Sequence, residues 1–330
     1  MLNLNVKKIV LISILIICIL GILIISFYLK KKKDDQKTSD QKIKNKIEYF
    51  TVPDRNNLSM EEYYQRGIYP STYKVVVLGD VHGDYYATVK SLKNARLIDE
   101  NLDWCGGKTH LVQIGDILDR KNRLGENTDE DSEFRIINLF LKLIKQAYEV
   151  GGGFHCILGN HELMNISGDF SYVSDAGINH FPDKAKGRLD FFKPNSKMCK
   201  LFASYWNPVI KIGKYLFCHA GISYKIGMEN SIHDINNLMR NFLLGDNTLL
   251  QDKKFDELFM NDKGIVWNRE YMNGDFDRNK TKEMLKNKDC EYMVVGHTIQ
   301  DNGINLKNDC IWFVDTGMSE AFGKRISDDK

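Results

Sequence analysis

Five short apolar segments of this sequence each end in a turn that carries Asp, Asn or His. The turns are Gly79-Asp80-Val81-His82-Gly83, Gly115-Asp116, Gly159-Asn160-His161, His219-Ala220-Gly221 and Gly296-His297. Apolar runs of this length are typical of buried strands, and such strands deliver polar residues at their carboxyl ends. Side chains two residues apart in an extended segment point the same way, as those of Asp80 and His82 must. We therefore expect the polar residues of all five turns to converge at one edge of a sheet system.

The residue types in these turns predict a metal centre with two ions. The set exceeds what a single ion with an open coordination position needs, and a carboxylate such as that of Asp116 can bridge two cations about 3.5–4 Å apart. We expect the first ion to be bound by Asp80, His82 and Asp116, and the second by Asp116, Asn160, His219 and His297. Mixed oxygen and imidazole ligands favour Mn, with Fe or Zn as alternatives, over Cu(I) or a structural zinc.

The five turns, in this order, resemble the motifs of the calcineurin-type metallophosphoesterases, and within them the phosphoprotein phosphatase family. The motifs are Gly-Asp-Val-His-Gly, Gly-Asp-Ile-Leu-Asp-Arg, Gly-Asn-His-Glu, His-Ala-Gly and Gly-His-Thr, and they span residues 74–298. The continuation of the third motif through Leu163-Met164-Asn165 to Gly168-Asp169-Phe170-Ser171-Tyr172-Val173, and the segment Trp267-Asn268-Arg269, resemble the Shewanella-like branch of that family.

This resemblance implies hydrolysis of phosphomonoesters by a hydroxide that bridges the two metals. His161 would be the general acid that protonates the leaving oxygen, and Asp119 would orient it through the other ring nitrogen. Arg120 and Arg269 would bind the phosphate oxygens, since a planar guanidinium matches an anion of that geometry. Asn160 would also face the substrate.

Three positions depart from the family pattern. Lys121 replaces a glycine after Arg120, Ala220 replaces the glycine found in animal-type phosphatases, and Ser171 replaces an arginine that is common in the Shewanella-like branch. The first bears on the loop that places Arg120 and the last on substrate contacts. None of the three removes a predicted metal ligand.

The elements that must hold these turns indicate one α/β domain. The resemblance implies a four-layer α/β/β/α sandwich over residues 71–326. The stretches at 167–201 and 232–262 lie between motifs, and we expect them to form helical insertions that shape the substrate cleft. Hydrophobic residues make up 43% of the 330-residue chain, which is enough for a sizeable core.

The N-terminal region predicts one membrane span. Residues 9–29 carry no charge and match the roughly 20 residues that cross a bilayer. The alternative is a cleaved signal peptide, but the apolar run is longer than such a segment needs, and no small-residue cleavage site follows it. Residues 1–8 would form a short tail and residues 30–70 a charged juxtamembrane linker. The lysines that follow the span outnumber those before it, so we expect a single-pass membrane protein with a cytosolic catalytic domain.

Composition limits the partners. The formal net charge is only +2, so no global positive field predicts nucleic acid as a ligand, and the seven scattered cysteines lack a zinc-type spacing. The expected substrate is a phosphorylated protein, without a preference between Ser/Thr and Tyr. Two alternatives stay open: a hydrolase of small phosphorylated molecules such as dinucleoside polyphosphates, and a membrane-tethered binding module without activity. The sequence does not indicate an oligomeric state.

Overall fold

The computed structural model describes residues 59–123, 129, 131–272 and 276–323. The predicted membrane span at residues 9–29 lies outside these ranges. Within them, no helix combines the length and the apolar character that crossing a membrane requires.

Ten strands in the described part of the chain form two sheets. The strands are β1 (Ile68–Tyr69), β2 (Val75–Leu78), β3 (His110–Gln113), β4 (Gly153–Ile157), β5 (Trp206–Asn207), β6 (Val209–Ile212), β7 (Tyr215–Cys218), β8 (Tyr292–Val295), β9 (Asn305–Lys307) and β10 (Ile311–Phe313). One sheet has the order β2-β3-β4-β5, and the other has the order β1-β6-β7-β8-β10-β9. All five strands predicted from the apolar runs are present, as β2, β3, β4, β7 and β8.

The first sheet is fully parallel. Val75 pairs with His110 and Gln113 with Cys156, so the carboxyl ends of β2, β3 and β4 lie side by side. The second sheet is mixed, but β7, β8 and β10 run parallel to one another. The strands that precede the predicted ligands therefore end at common edges, as the sequence predicted.

An apolar layer lies between the two sheets, and helices cover their outer faces. Val112 and Ile157 of the first sheet pack in one cluster with Ile210, Phe217 and Val294 of the second. Strands β3 and β4 in the middle of the first sheet are buried completely because both of their faces are covered, as is usual for parallel sheets.

The helices follow from amphipathic patterns and polar caps. They are α1 (Ser59–Gln65), α2 (Tyr85–Asn94), α3 (Glu133–Glu149), α4 (Asn160–Ser167), α5 (Asp175–Asn179), α6 (Lys184–Phe192), α7 (Lys197–Tyr205), α8 (Tyr224–Glu229), α9 (Ile232–Leu243), α10 (Lys253–Phe255) and α11 (Arg278–Asn287). Helix α3 packs on β4, and α9 packs on β6. The Ser231 hydroxyl accepts from the Asp234 N–H and thereby caps α9. Shorter helical turns cover Asn247–Gln251, Asp256–Met260 and Glu320–Phe322.

The domain begins earlier than the sequence indicated. Residues 59–69, assigned above to the charged linker, form α1 and the edge strand β1, which pairs with β6. Tyr64 and Tyr69 are the reason, because both rings are buried and the Tyr64 hydroxyl donates to the Ile144 carbonyl. The two predicted insertions are helical: α5, α6 and α7 occupy the first, and α9 and α10 with short turns occupy the second.

Candidate active site

The carboxyl ends of the strands bring together two groups of residues that can bind metal. His82, Asp116 and His161 form one group, and Asp116, His219 and His297 form the other. Within each group, one ligand atom per residue lies within 4.8 Å of the others. Asp116, the carboxylate expected to bridge two ions, belongs to both groups, and the first group contains His161 where the sequence interpretation expected Asp80.

Asp80 and His297 present buried polar atoms toward this region. The His297 backbone N–H donates to one carboxylate oxygen of Asp80, Oδ2, at 2.9 Å. The other oxygen, Oδ1, and the Nε2 atom of His297 are buried and have no hydrogen-bond partner within the described part of the chain. Buried polar atoms of native proteins are almost always paired, so two orphaned ligand-type atoms indicate a missing partner such as a cation.

The imidazole of His219 is oriented by the backbone. Its Nδ1 lies 2.9 Å from the Ile114 carbonyl oxygen, which accepts the ring proton and turns Nε2 toward the centre. That nitrogen lies 2.9 Å from Asn160 Oδ1 and 3.2 Å from Asp116 Oδ2. Burial opposes protonation, but the charges of Asp116 and Asp80 raise the pKa of His219 to about 10. The two carboxylates thus strongly favour a positive charge at this point.

The imidazoles of His82 and His297 have lowered pKa values, which favours their neutral form. Burial, followed by the charge of His161, lowers the pKa of His82 to about 3. Burial, followed by the charge of His219, lowers the pKa of His297 to about 3. A neutral imidazole is the form that binds a metal. The Nδ1 atom of His82 lies 3.2 Å from the Leu118 carbonyl oxygen, so Nε2 is the atom directed to Asp116.

The backbone at the centre is strained in a way that is typical of functional sites. His82, Asp116, Asp119 and His297 have φ values of 38°, 54°, 74° and 64°, in the left-handed region that favours glycine. The glycine that precedes Asn160 is required for space, since a Cβ at Gly159 would lie 2.2 Å from Asp116 Oδ1. The glycine of the Gly-Asn pattern is therefore explained by close packing against the Asp116 carboxylate, whereas those before Asp80 and Asp116 pack against the Val314 carbonyl and the His219 ring.

Glu162 is a buried residue of the site that the sequence interpretation did not single out. Its Oε2 accepts from the N–H groups of Asp116 and Gly159 at 2.9 and 2.8 Å. Its Oε1 accepts from those of Ile117 and Leu118 at 2.8 and 3.1 Å. Burial, followed by the charge of Asp116, raises the pKa of this carboxyl to about 7. One carboxylate therefore joins the loop after β3 to the start of α4.

His161 and Asp119 form a close pair beside the two ligand groups. The Nδ1 of His161 lies 2.6 Å from Asp119 Oδ2, while its Nε2 lies 3.9 Å from Asp116 Oδ2. Burial acts to lower the pKa of His161, but the charge of Asp116 and the hydrogen bond with Asp119 raise it overall. The Asn165 amide donates to Asp119 Oδ1 at 2.7 Å and to the His161 carbonyl at 2.8 Å.

The two arginines predicted to bind phosphate lie in different environments. Arg120 is only 1% exposed, donates to Ser319 Oγ at 2.9 Å, and pairs with Asp84 at 3.2 Å. Arg120 is therefore shielded from solvent and held by partners within the protein. Arg269 is exposed, and its charge is among the causes that lower the pKa of His297.

A third arginine lies at the mouth of the site. The guanidinium carbon of Arg123 lies 4.7 Å from the ring centroid of Tyr172 and 5.2 Å from that of Phe322. Tyr172 is 42% exposed, and its ring contacts His161 edge-on at 5.1 Å. Burial lowers the pKa of Arg123, while the charges of Asp119, Tyr172 and Asp116 oppose that shift. No motif in the sequence indicated this cation.

Comparison with known proteins identifies the family to which the chain is similar. The calcineurin-like phosphoesterase family matches residues 73–301. Shewanella-like protein phosphatase 2 of Arabidopsis thaliana is 28% identical over 304 residues, covering 75% of this chain and 72% of that protein. Shewanella-like protein phosphatase 1 of Plasmodium berghei (strain Anka) is 29% identical over 277 residues, covering 81% and 73%.

The fold is also similar to a solved structure. The cold-active protein-tyrosine phosphatase of a psychrophilic Shewanella species superposes with a TM-score of 0.65 at 29% identity, covering 77% of this chain and 74% of that one. The resemblance seen in the sequence motifs is confirmed. The chain belongs to the calcineurin-like phosphoesterase family, whose members use a binuclear divalent metal centre, and it is a phosphatase similar to the Shewanella-like protein phosphatases.

Proposed function

We propose that this protein hydrolyses phosphomonoesters on proteins. The observation that carries the proposal is the pair of ligand groups that share Asp116, with the His161–Asp119 pair directly beside them. Protein phosphatases among the similar proteins support the substrate class.

Two divalent cations fit the residues present. Orphaned atoms on Asp80 and His297, two neutral imidazoles, and concentrated carboxylate charge all favour bound cations. The ligand sets proposed are Asp80, His82 and Asp116 for one ion, and Asp116, Asn160, His219 and His297 for the other. Bound there, the ions would polarise the phosphoryl oxygens and make a water molecule easier to deprotonate for attack on phosphorus. We propose manganese as the resident metal because the set combines carboxylate and amide oxygens with imidazole nitrogens and contains no sulfur.

His161 would act as the general acid of the reaction. Because its Nδ1 proton is held by Asp119, the Nε2 atom is free to face the substrate and donate to the leaving oxygen. Asp119 would keep the ring in this orientation and favour its protonated form. The edge-on contact with Tyr172 limits ring rotation on the open side.

Phosphate would be bound by two positive charges that border the centre. Arg269 lies on the side of His297, and Arg123 lies on the side of His161. Arg120 would not bind phosphate directly. It would act through the loop that it fixes by pairing with Asp84. Asn160 would lie between the metals and the substrate.

We also propose that residues 9–29 attach the domain to a membrane, with the lysine-rich side in the cytosol. The support is the length of the uncharged run and the distribution of lysines in the sequence. Fractionation of cells that express the full chain, or the chain without residues 1–33, tests this. Equal recovery of both in the membrane-free fraction would refute it.

A substrate panel tests the proposed activity. The full chain is assayed with manganese against phosphotyrosyl, phosphoseryl and phosphothreonyl peptides, and against dinucleoside polyphosphates. We expect release of phosphate from peptides and its loss in Asp116→Asn, whereas the surface control Asp289→Asn, whose side chain is 72% exposed, stays active. Turnover of dinucleoside polyphosphates alone would favour the small-molecule alternative, and equal activity of Asp116→Asn would refute the site.

A further inference from the structure

An arginine from the first insertion reaches beneath the His161–Asp119 pair. Arg188 lies on α6 and is 0% exposed, although the segment around it follows no sequence motif. Its guanidinium uses all three nitrogens within the protein, on Asn165, Glu133 and the Gly177 carbonyl. Burial of a full positive charge is costly unless such partners compensate it.

The first of these bonds fixes the orientation of an amide. Arg188 Nε donates to Asn165 Oδ1 at 2.7 Å, so the oxygen of that amide must face the arginine. The NH₂ end then faces Asp119 Oδ1 at 2.7 Å and the His161 carbonyl at 2.8 Å. Rotation of the amide would place its oxygen against the Asp119 carboxylate, where two acceptors would repel each other.

The remaining bonds fix the backbone that carries Asp119. Arg188 binds both oxygens of Glu133, Nη1 to Oε2 at 2.8 Å and Nη2 to Oε1 at 3.1 Å. Glu133 Oε1 also accepts the backbone N–H of Asp119 at 2.7 Å. Asp119 has a φ of 74°, a conformation that persists only where neighbouring groups enforce it.

The charges of the cluster also indicate that Arg188 supports Asp119. Asp119 and Glu133 are two carboxylates with almost no exposure, and Arg188 lies 3.7 Å from Asp119 Oδ1 as well as in contact with Glu133. The Arg188 guanidinium therefore compensates the negative charge of both carboxylates. Without it, the buried cluster would carry an uncompensated negative charge next to the catalytic pair.

We propose that Arg188 is a positioning residue that, through Asn165 and Glu133, holds Asp119 and hence the His161 ring in the geometry for proton donation. The inference rests on the general-acid role proposed above for His161. It assigns to the first insertion a part in catalysis, in addition to any part in shaping the substrate cleft.

The dependence of the rate on the leaving group tests this role. Phenyl phosphate and 4-nitrophenyl phosphate have the same ring, but nitrophenoxide leaves without much help from an acid, whereas phenoxide needs a proton. Misplacement of the acid in Arg188→Met should therefore lower kcat for phenyl phosphate by roughly 10- to 100-fold, and kcat for 4-nitrophenyl phosphate by less than about 3-fold. The ratio of the two rates does not depend on the folded fraction of the preparation.

Three further variants of the full chain make the result specific. Arg188→Lys keeps the charge but cannot reach Asn165 and both oxygens of Glu133 together, so we expect it to show the same selective loss. Arg188→Met combined with Glu133→Gln removes both charges. This variant tests whether loss of the Arg188 hydrogen bonds, without an uncompensated charge, is sufficient to cause the selective loss of rate. Lys186→Met lies on the same helix, is 75% exposed, and should leave both rates unchanged.

The reference is His161→Asn in the same assay. If this variant loses both rates equally, the general-acid role fails and the inference about Arg188 fails with it. If His161→Asn shows the selective loss while the Arg188 variants lose both rates equally or neither, Arg188 serves stability alone and the inference is overturned.

Discussion

Substitution of Glu162 tests how the loop that carries Asp116 is held in place. Replacement by Gln keeps the size of the side chain but converts one oxygen into an NH₂ group. Each oxygen accepts two backbone N–H groups, so either orientation of the amide leaves two buried donors facing a donor. A buried unsatisfied group costs about 1–3 kcal/mol, so we expect a loss of roughly 2–6 kcal/mol in the free energy of unfolding.

Urea unfolding of the full chain measures this loss, with Glu100→Gln as the matched control. The Glu100 side chain is 91% exposed and bonds only to Lys93 in the described structure, so its replacement should change stability by less than about 0.5 kcal/mol. Glu162→Gln should also weaken binding of Mn²⁺, because Asp116 lies on the loop that Glu162 holds. If Glu162→Gln unfolds within about 0.5 kcal/mol of the unmodified protein, the four hydrogen bonds do not determine the loop and the reasoning is refuted.

Three other measurements follow from the site and its surroundings. Removal of divalent ions by a chelator should abolish phosphatase activity and lower the unfolding temperature, and Mn²⁺ should restore both; an unchanged unfolding temperature would contradict the metal centre proposed around Asp116. Tyr172→Ala should lower kcat/KM for a phosphotyrosyl peptide about 2- to 12-fold, the worth of one aromatic contact, and should affect a phosphoseryl peptide less; equal effects would exclude stacking at this ring. Burial and the charge of His110 hold the pKa of His155 well below its usual range. As pH falls below about 6.5, His155 therefore binds a proton in the unfolded state but not in the folded state. The free energy of unfolding should then fall by up to about 1.4 kcal/mol per pH unit. His155→Gln should flatten that slope in urea unfolding at several pH values, and an unchanged slope would contradict the assignment.

The sequence indicated candidate ligands because they lie in turns that directly follow apolar strands. A run such as Val75–Leu78 sets both the strand and the place where it ends, and the turn after it contains Asp80 and His82. Parallel pairing then brings separate turns together without any further information. The five strand ends were therefore readable from local patterns, and the structure confirms the strands.

What local patterns could not show are the partners of each side chain across the fold. Arg120 lies within a motif, yet its burial depends on Asp84 and on Ser319, which follows it by 199 residues. Tyr64 and Tyr69 were assigned to a linker because polar residues surround them, whereas their rings find a core formed by distant segments. Periodicity over a few residues carries no information about such contacts.

Helix α6 shows how far this limit extends into the site itself. The sequence around Arg188 is largely polar, and most of α6 is exposed. Two of its side chains are buried: Phe192 packs in the apolar core, and Arg188 binds Glu133 from α3 and Asn165 from α4. Three separate helices thus enclose a single ionic cluster beside Asp119. Glu162 of α4 binds the backbone of the loop that carries Asp116, whereas Arg188 acts on Asp119 through Asn165 and Glu133, so different side chains support the two parts of the site. Variants of Glu162 should therefore act mainly on metal binding, and variants of Arg188 mainly on proton donation.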